Sequence, residues 1–231
     1  MQTSDLALVR GLADTRATLA TWNERPGPIV GRWVAGSLAI SLLLLGAVWY
    51  VALLSVPDAT QSFFGVFPER DLGRVGHVLM RNSLVLALHA FACIAGFIAG
   101  SSLPQEAERY SGVWRPIHDK AGPLAIAFVI GATGFSLVTQ TFALGQGASS
   151  MAGHLGISPG LLLVGLLPHA LPELVALFLP LAAWMIASRQ KAWHELLAAT
   201  LITVVLAAPV LVAAAFIEVY VAPGLLASLA G

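Results

Sequence analysis

A histidine and a glutamate lie one helical turn apart inside a strongly apolar stretch of the chain. His169 and Glu173 are each preceded by a proline, Pro168 and Pro172. Ionisable side chains cost several kcal/mol in a bilayer unless they are paired, so such residues mark a functional or structural site. We therefore take this segment as the centre of the candidate site.

The two prolines predict a change in the backbone at the same place. A proline inside a helix removes one backbone donor and clashes with the preceding turn. Irregular backbone at membrane depth persists only where protein or a polar cavity satisfies the freed carbonyls. We expect the helix that carries His169 to be broken at Pro168–Pro172.

Further polar residues stand in neighbouring apolar segments. A rise of about 1.5 Å per residue places most of them within about 15 Å of one membrane boundary, with Glu173 nearer the midplane. We expect a buried polar core made of His169, Glu173, Glu218, Asn82, His89 and Gln140. Two interpretations stay open: a hydrogen-bonded network that fixes helix register, or the lining of a site for an ion, a proton or a substrate head group.

Motifs for catalysis and metal binding are incomplete. His194-Glu195 begins like the zinc-protease helix, but Ala198 stands where the second histidine ligand is needed. His169 and Glu173 supply only two ligands, and a zinc site needs at least one more from the protein. We predict no catalytic residues, no metal ligands and no cofactor, and hence a protein that is not an enzyme.

The amino-acid composition indicates the environment in which this chain folds. Of its 231 residues, 58% are hydrophobic and 10% are charged, and the mean hydropathy is +0.83. Soluble domains carry roughly 25% charged residues. The formal net charge is zero, so no basic surface predicts a nucleic-acid partner. The sequence predicts an integral membrane protein whose main partner is the lipid bilayer.

The apolar segments predict an all-α, polytopic membrane helix bundle. Five stretches reach the roughly 20 residues that a spanning helix needs. They are Trp33–Val56, Met80–Leu103, Pro123–Gln146, Ser158–Ser188 and Trp193–Val221. We divide the chain into a cytoplasmic N-terminal arm, residues 1–32, and a transmembrane helical domain, residues 33–231. The arm could lie on the membrane surface or pack as a short helix beneath the bundle.

The basic residues predict the orientation. With five crossings and a cytoplasmic N-terminus, nine of the 12 Lys and Arg residues fall inside and three outside. This asymmetry obeys the positive-inside rule and puts the C-terminus outside. Splitting the fourth segment into two crossings would change the balance to seven and five, so we favour five.

Three parts of the chain resemble a known family. Leu166-Leu167-Pro168-His169-Ala170-Leu171-Pro172-Glu173 resembles the proline-histidine-glutamate signature of the stage II sporulation protein M family. Ile217-Glu218 followed by Pro223 resembles that family's closing helix end, and Asn82 ahead of Gly96 and Gly100 resembles its asparagine-then-glycines helix. The similarity covers roughly residues 75–223. Ala170 stands where the family has a glycine.

The resemblance implies a multi-pass protein of the bacterial cytoplasmic membrane. In endospore formers, members work with peptidoglycan-degrading partners during engulfment, but many occur in organisms that do not sporulate. It implies a non-enzymatic anchor or assembly factor of a cell-envelope complex, with cell-wall hydrolases as partners. The alternative from the residues themselves is a small transporter or an ion or proton conductor that uses the buried His/Glu layer.

Overall fold

The computed structural model describes residues 7–58, 70–102 and 114–231, and within these ranges every regular element is helical. Seven α-helices are formed there: α1 Ala7–Glu24, α2 Pro26–Leu54, α3 Leu72–Phe97, α4 Trp114–Leu155, α5 Pro159–Gln190, α6 Leu196–Phe216 and α7 Ala222–Ala230. Short π-helical segments follow α3 (Ile98–Ser102) and α6 (Ile217–Val221), and a 3₁₀ turn, Trp193–Glu195, precedes α6. The prediction of an all-α bundle is confirmed.

Five helical segments are long and apolar enough to cross a membrane. They are Pro26–Leu54, Leu72–Gly100, Ile126–Leu155, Pro159–Gln190 and Trp193–Ala230. Each overlaps one predicted span, so the prediction of five spanning helices is confirmed. The division at residue 32 into an arm and a membrane domain stays a prediction.

The second spanning helix begins eight residues before its predicted start at Met80. Asp71 caps it, because its side-chain Oδ1 accepts a hydrogen bond of 2.9 Å from the backbone N–H of Arg74. Such a cap satisfies one of the free donors in the first turn. As a result Arg81, which stands at the second position of the predicted span, lies well inside α3.

A short connection between α4 and α5 is fixed by local chemistry. Gly156 has a positive φ of 67°, which glycine adopts without steric cost, and it ends α4. Ser158 then caps α5 by accepting a 3.2 Å hydrogen bond from the N–H of Leu161, with Pro159 in the first helical position, where its missing donor costs nothing.

The fourth spanning helix is not broken at Pro168–Pro172, contrary to the sequence prediction. The α-helix runs without interruption from Pro159 to Gln190. Each proline removes only its own N–H from the ladder, and a single free carbonyl does not end a long helix in an apolar setting, where every remaining backbone bond is needed.

Contacts divide the chain into two compact units, to which the long helices each contribute a part. Unit 1 contains residues 1–37, 85–133 and 177–207, and unit 2 contains residues 38–84, 134–176 and 208–231.

In unit 1, α1 packs closely on its neighbours, because a Cβ added at Gly11 would lie 2.8 Å from Leu197 and 2.9 Å from Phe97. A Cβ added at Gly96 would likewise lie 2.5 Å from Nε1 of Trp184, so the indole packs directly against this glycine. The arm therefore contains a helix that packs against α3 and α6 within unit 1, as in the second of the two arrangements considered for it.

Unit 2 holds two apolar clusters. In the first, Val75 and Val78 of α3 pack against Ala215 and Val219. In the second, Ala152, Leu162 and Leu226 bring α4, α5 and α7 together. These clusters fix the faces of α3 and α5 on which the polar residues of the candidate site lie.

Candidate functional site

Unit 2 contains a cavity of about 350 Å³ lined by four ionisable side chains from three segments. Arg81 comes from α3, His169 and Glu173 from α5, and Glu218 from the π-helical segment after α6. The rest of the lining is apolar and comes from α2, α4 and α5. It includes Leu44, Val48, Leu144, Met151, Leu163 and Leu166. The cavity thus joins a charged cluster to hydrophobic walls.

The charged cluster is centred on one arginine and two carboxylates. Nη2 of Arg81 lies 4.0 Å from Oε1 of Glu218, and the two side chains are 60% and 29% exposed. Glu173 is close enough to both for their charges to act on it, and Arg74, two turns earlier on α3, also acts on Glu218. An arginine at this distance offsets the repulsion between the two carboxylates.

Several polar atoms at this site lack partners. His169 is only 8% exposed, and its Nδ1 atom has no hydrogen-bond partner among the described residues; the same holds for Oε2 of Glu218. Asn82 is buried beside the carboxyl of Glu173, yet its Nδ2 atom makes no hydrogen bond of good geometry there. Buried polar atoms normally have partners, so these atoms have capacity for an additional group.

Four of the six residues predicted for the polar core come together. Asn82, His169, Glu173 and Glu218 all belong to unit 2, and the last three line one cavity. The helical spacing of Val75, Val78 and Asn82 puts the asparagine on the face of α3 that packs inward, which explains its burial.

The other two predicted residues do not join this cavity. Gln140 is exposed, and its Nε2 donates a 2.9 Å hydrogen bond to the hydroxyl of Ser136 on its own helix; the prediction that it is buried is wrong, because helical phase turns it outward. His89 belongs to unit 1, where its ring meets that of Phe178 edge-on with the centroids 5.5 Å apart. It is half-buried and does not line the cavity.

Arg81 lines the candidate site but was not among the residues predicted for it. The predicted span begins at Met80, so Arg81 stands at its edge, where its charge was counted among the basic residues that set the topology. The available signal was Asp71, a cap residue just before an apolar-periodic segment. A helix that begins after this cap places Arg81 and Asn82 more than two turns from its start.

The described residues offer no group of three or more His, Cys, Asp or Glu side chains that could hold a metal ion. The chemistry available is hydrogen bonding and charge pairing: a guanidinium, two carboxylates and an imidazole around a space large enough for a small molecule. Ligand sites combine apolar walls with a few convergent polar groups in this way.

Comparisons with protein-family models, curated proteins and solved structures give no match for this chain. The class follows from the fold alone. Five helices long and apolar enough to span a bilayer, with ionisable residues gathered at one cavity, define a multi-pass helical membrane protein. The resemblance to the stage II sporulation protein M family remains a hypothesis that rests on the residues quoted for it.

Proposed function

We propose that the protein is a non-enzymatic membrane anchor or assembly factor of a peptidoglycan-remodelling complex in a bacterial cytoplasmic membrane. One observation carries the proposal. The three sequence segments that resemble stage II sporulation protein M lie far apart in the chain, yet Asn82, His169, Glu173 and Glu218 from these segments belong to one unit. Convergence of separate motif residues is what a common fold with a common site would produce.

A crosslinked pull-down from native membranes, read by mass spectrometry, tests this function. We expect cell-wall hydrolases to be recovered with the tagged wild-type protein and not with an unrelated multi-pass protein of equal abundance. Glu173→Gln keeps the shape of the side chain and should retain these partners, because an anchor does not need that charge. Recovery of no envelope protein above the control would contradict the proposal.

The same proposal includes an orientation with the N-terminus in the cytoplasm and the C-terminus outside. The positive-inside rule supports it. Reporter fusions at Gly231 test it, since an alkaline phosphatase fused there should be active and a cytoplasmic reporter inactive. An inactive phosphatase fusion together with an active cytoplasmic reporter would contradict both the five-crossing arrangement and an outward-facing anchor.

A second candidate is a small transporter or an ion or proton conductor. The observation that favours it is the cluster of Arg81, His169, Glu173 and Glu218 on membrane-spanning helices, since ionisable residues at such positions often mark ion or substrate paths. Reconstitution in liposomes separates the two candidates. A conductor loses flux when Glu173→Gln is introduced, whereas an anchor shows no protein-dependent flux in either form.

A further inference from the structure

The cavity in unit 2 has an apolar end near one membrane boundary and a charged end deeper in the bundle. Along α5 its lining runs from Leu162 to Leu174, which spans about 18 Å at the rise of an α-helix. The lining residues nearest the turn between α4 and α5, Met151 and Leu162, are apolar, whereas His169 and Glu173 lie two or more turns further along α5. The hydrocarbon walls therefore lie between the boundary and the charged groups.

This polarity and the size of the cavity define the shape of an occupant. A bilayer phospholipid keeps its head group at the boundary, so it does not match a cavity whose charged end is the deep one. A small molecule with one polar end and an apolar body does match it. The volume is about 350 Å³, and a cavity of about 150 Å³ holds one benzene, so the space suits about two aromatic rings with a polar group attached.

The charges of the lining indicate the sign of that polar group. Glu173 and Glu218 both line the cavity, and Arg81 is the single Lys or Arg among the lining residues. Arg81 lies 4.0 Å from Glu218 and its charge also acts on Glu173, but one cation balances only one of two carboxylates. A second positive charge beside Glu173 would offset the repulsion that remains between the carboxylates.

The unpartnered atoms indicate how many hydrogen-bond donors the cation presents. His169 is only 8% exposed, and neither its Nδ1 nor Oε2 of Glu218 has a partner among the described residues. An ionised carboxylate only accepts, and Nδ1 of a neutral imidazole accepts when the proton is on Nε2. With the carboxylate of Glu173, one turn from His169, the charged end offers acceptors from three side chains. A primary ammonium has three N–H donors and no acceptor, as in lysine, and so matches this set.

We propose that the cavity binds a small hydrophobic primary amine, with its ammonium at Glu173, Glu218 and His169 and its apolar body along the leucine walls. Arg81 stays paired with Glu218 and takes no part in holding the ligand. The site is independent of the proposed anchoring function, because hydrolases can be recovered in the pull-down whether or not an amine binds, and the reverse.

Isothermal titration calorimetry of the full chain in a nonionic detergent tests the site. The probe is diphenylpropylamine, which carries two rings and a primary ammonium. Three relatives of the same body replace the ammonium by a hydroxyl, a trimethylammonium or a carboxylate, and a titration of protein-free micelles corrects each for partitioning. We expect the amine to bind about tenfold more tightly than the alcohol, because its hydrogen bonds are charge-assisted.

The other two relatives separate charge from hydrogen bonding. The trimethylammonium compound keeps the positive charge but has no N–H donor, so it should also bind about tenfold more weakly than the amine. The carboxylate compound places a third negative charge beside Glu173 and Glu218, and it should bind more weakly than the alcohol.

One variant connects the preference to the charged end. Glu173→Gln should reduce the preference for the amine over the alcohol to within about twofold, because the charge that the ammonium offsets is lost. Glu24→Gln, at an exposed carboxylate at the end of α1, is the matched control and should leave the preference unchanged.

A second variant connects binding to the apolar space and keeps the proposal testable if Glu173→Gln fails to fold. Gly147 lines the cavity, and a Cβ added there would meet no atom within 4 Å. Gly147→Leu should therefore fill the apolar part without displacing a neighbour, and weaken the amine and the alcohol together by about tenfold. Gly134→Leu on the same helix is the matched control, because Gly134 also has nothing within 4 Å but does not line the cavity.

Four results would overturn the proposal. Equal affinity of the wild type for the amine and the alcohol would mean that no cation site exists. Equal affinity for the amine and its trimethylammonium relative would mean that the acceptors do not hold an N–H group. A preference for the amine that survives Glu173→Gln in folded protein, or affinities that Gly147→Leu leaves unchanged, would place the binding outside this cavity.

Discussion

The charge cluster in unit 2 predicts that substitutions of Arg81, Glu173 and Glu218 lower the stability of the protein by unequal amounts. Arg81 faces two carboxylates, one of them 4.0 Å away. Replacing Arg81 by glutamine leaves Glu173 and Glu218 as neighbouring like charges, whereas replacing either glutamate leaves the arginine with the other one. Arg81→Gln should therefore destabilise the protein more than Glu173→Gln or Glu218→Gln.

The distance between Arg81 and Glu218 sets the magnitude of their coupling free energy. Two unit charges 4 Å apart interact by about 1 kcal/mol in bulk water and by about 4 kcal/mol at an effective dielectric constant of about 20. Because the Arg81 side chain is 60% exposed, the lower part of that range applies. We expect a coupling free energy of about 1–2 kcal/mol between Arg81 and Glu218.

A double-mutant cycle measures this coupling. The free energy of unfolding is determined in mixed micelles by titration with sodium dodecyl sulfate for the wild type, Arg81→Gln, Glu218→Gln and the double variant. The two single losses should together exceed the loss in the double variant by the coupling energy. Arg189→Gln, an exposed arginine at the end of α5, is the control and should change stability by no more than about 0.5 kcal/mol.

The reasoning fails in two distinguishable ways. A coupling energy within error of zero would mean that Arg81 and Glu218 do not interact. A loss on Glu173→Gln as large as that on Arg81→Gln would mean that the two carboxylates are stabilised separately and do not share one arginine.

Three further predictions concern packing and helix geometry. Gly145→Ala should lower the melting temperature, because its Cβ would lie 2.6 Å from Val51 and the overpacking costs about 1–3 kcal/mol; Gly134→Ala on the same helix, with nothing within 4 Å, should raise it slightly through helix propensity. Pro168→Ala should keep the fold and raise the melting temperature, since α5 is continuous and alanine adds a backbone hydrogen bond; a clear loss would show that the proline shape is required. Gln140→Ala should change the free energy of unfolding by no more than about 0.5 kcal/mol, because the exposed side chain donates a hydrogen bond within its own helix. A larger loss of stability would mean that Gln140 is buried in the polar core after all.

Sequence by itself determined the class of the molecule and the order of its helices. Hydropathy over about 20 residues is a local property that depends on no partner, so all five spans were found. His169, Glu173 and Glu218 were also found from sequence, because the cost of an ionisable group in an apolar helix does not depend on which neighbour relieves it.

Tertiary structure decided which of the polar residues share a site. Gln140 and His169 look alike in an apolar sequence, but the phase of each helix against its neighbours turns Gln140 outward and His169 into the cavity. Arg81 lies near Glu218 because the packing of Val75 and Val78 against Ala215 and Val219 sets the phase of α3, and α5 stayed continuous through Pro168 and Pro172. Packing between helices fixes these outcomes, and a pattern of hydropathy along one chain contains no information about it.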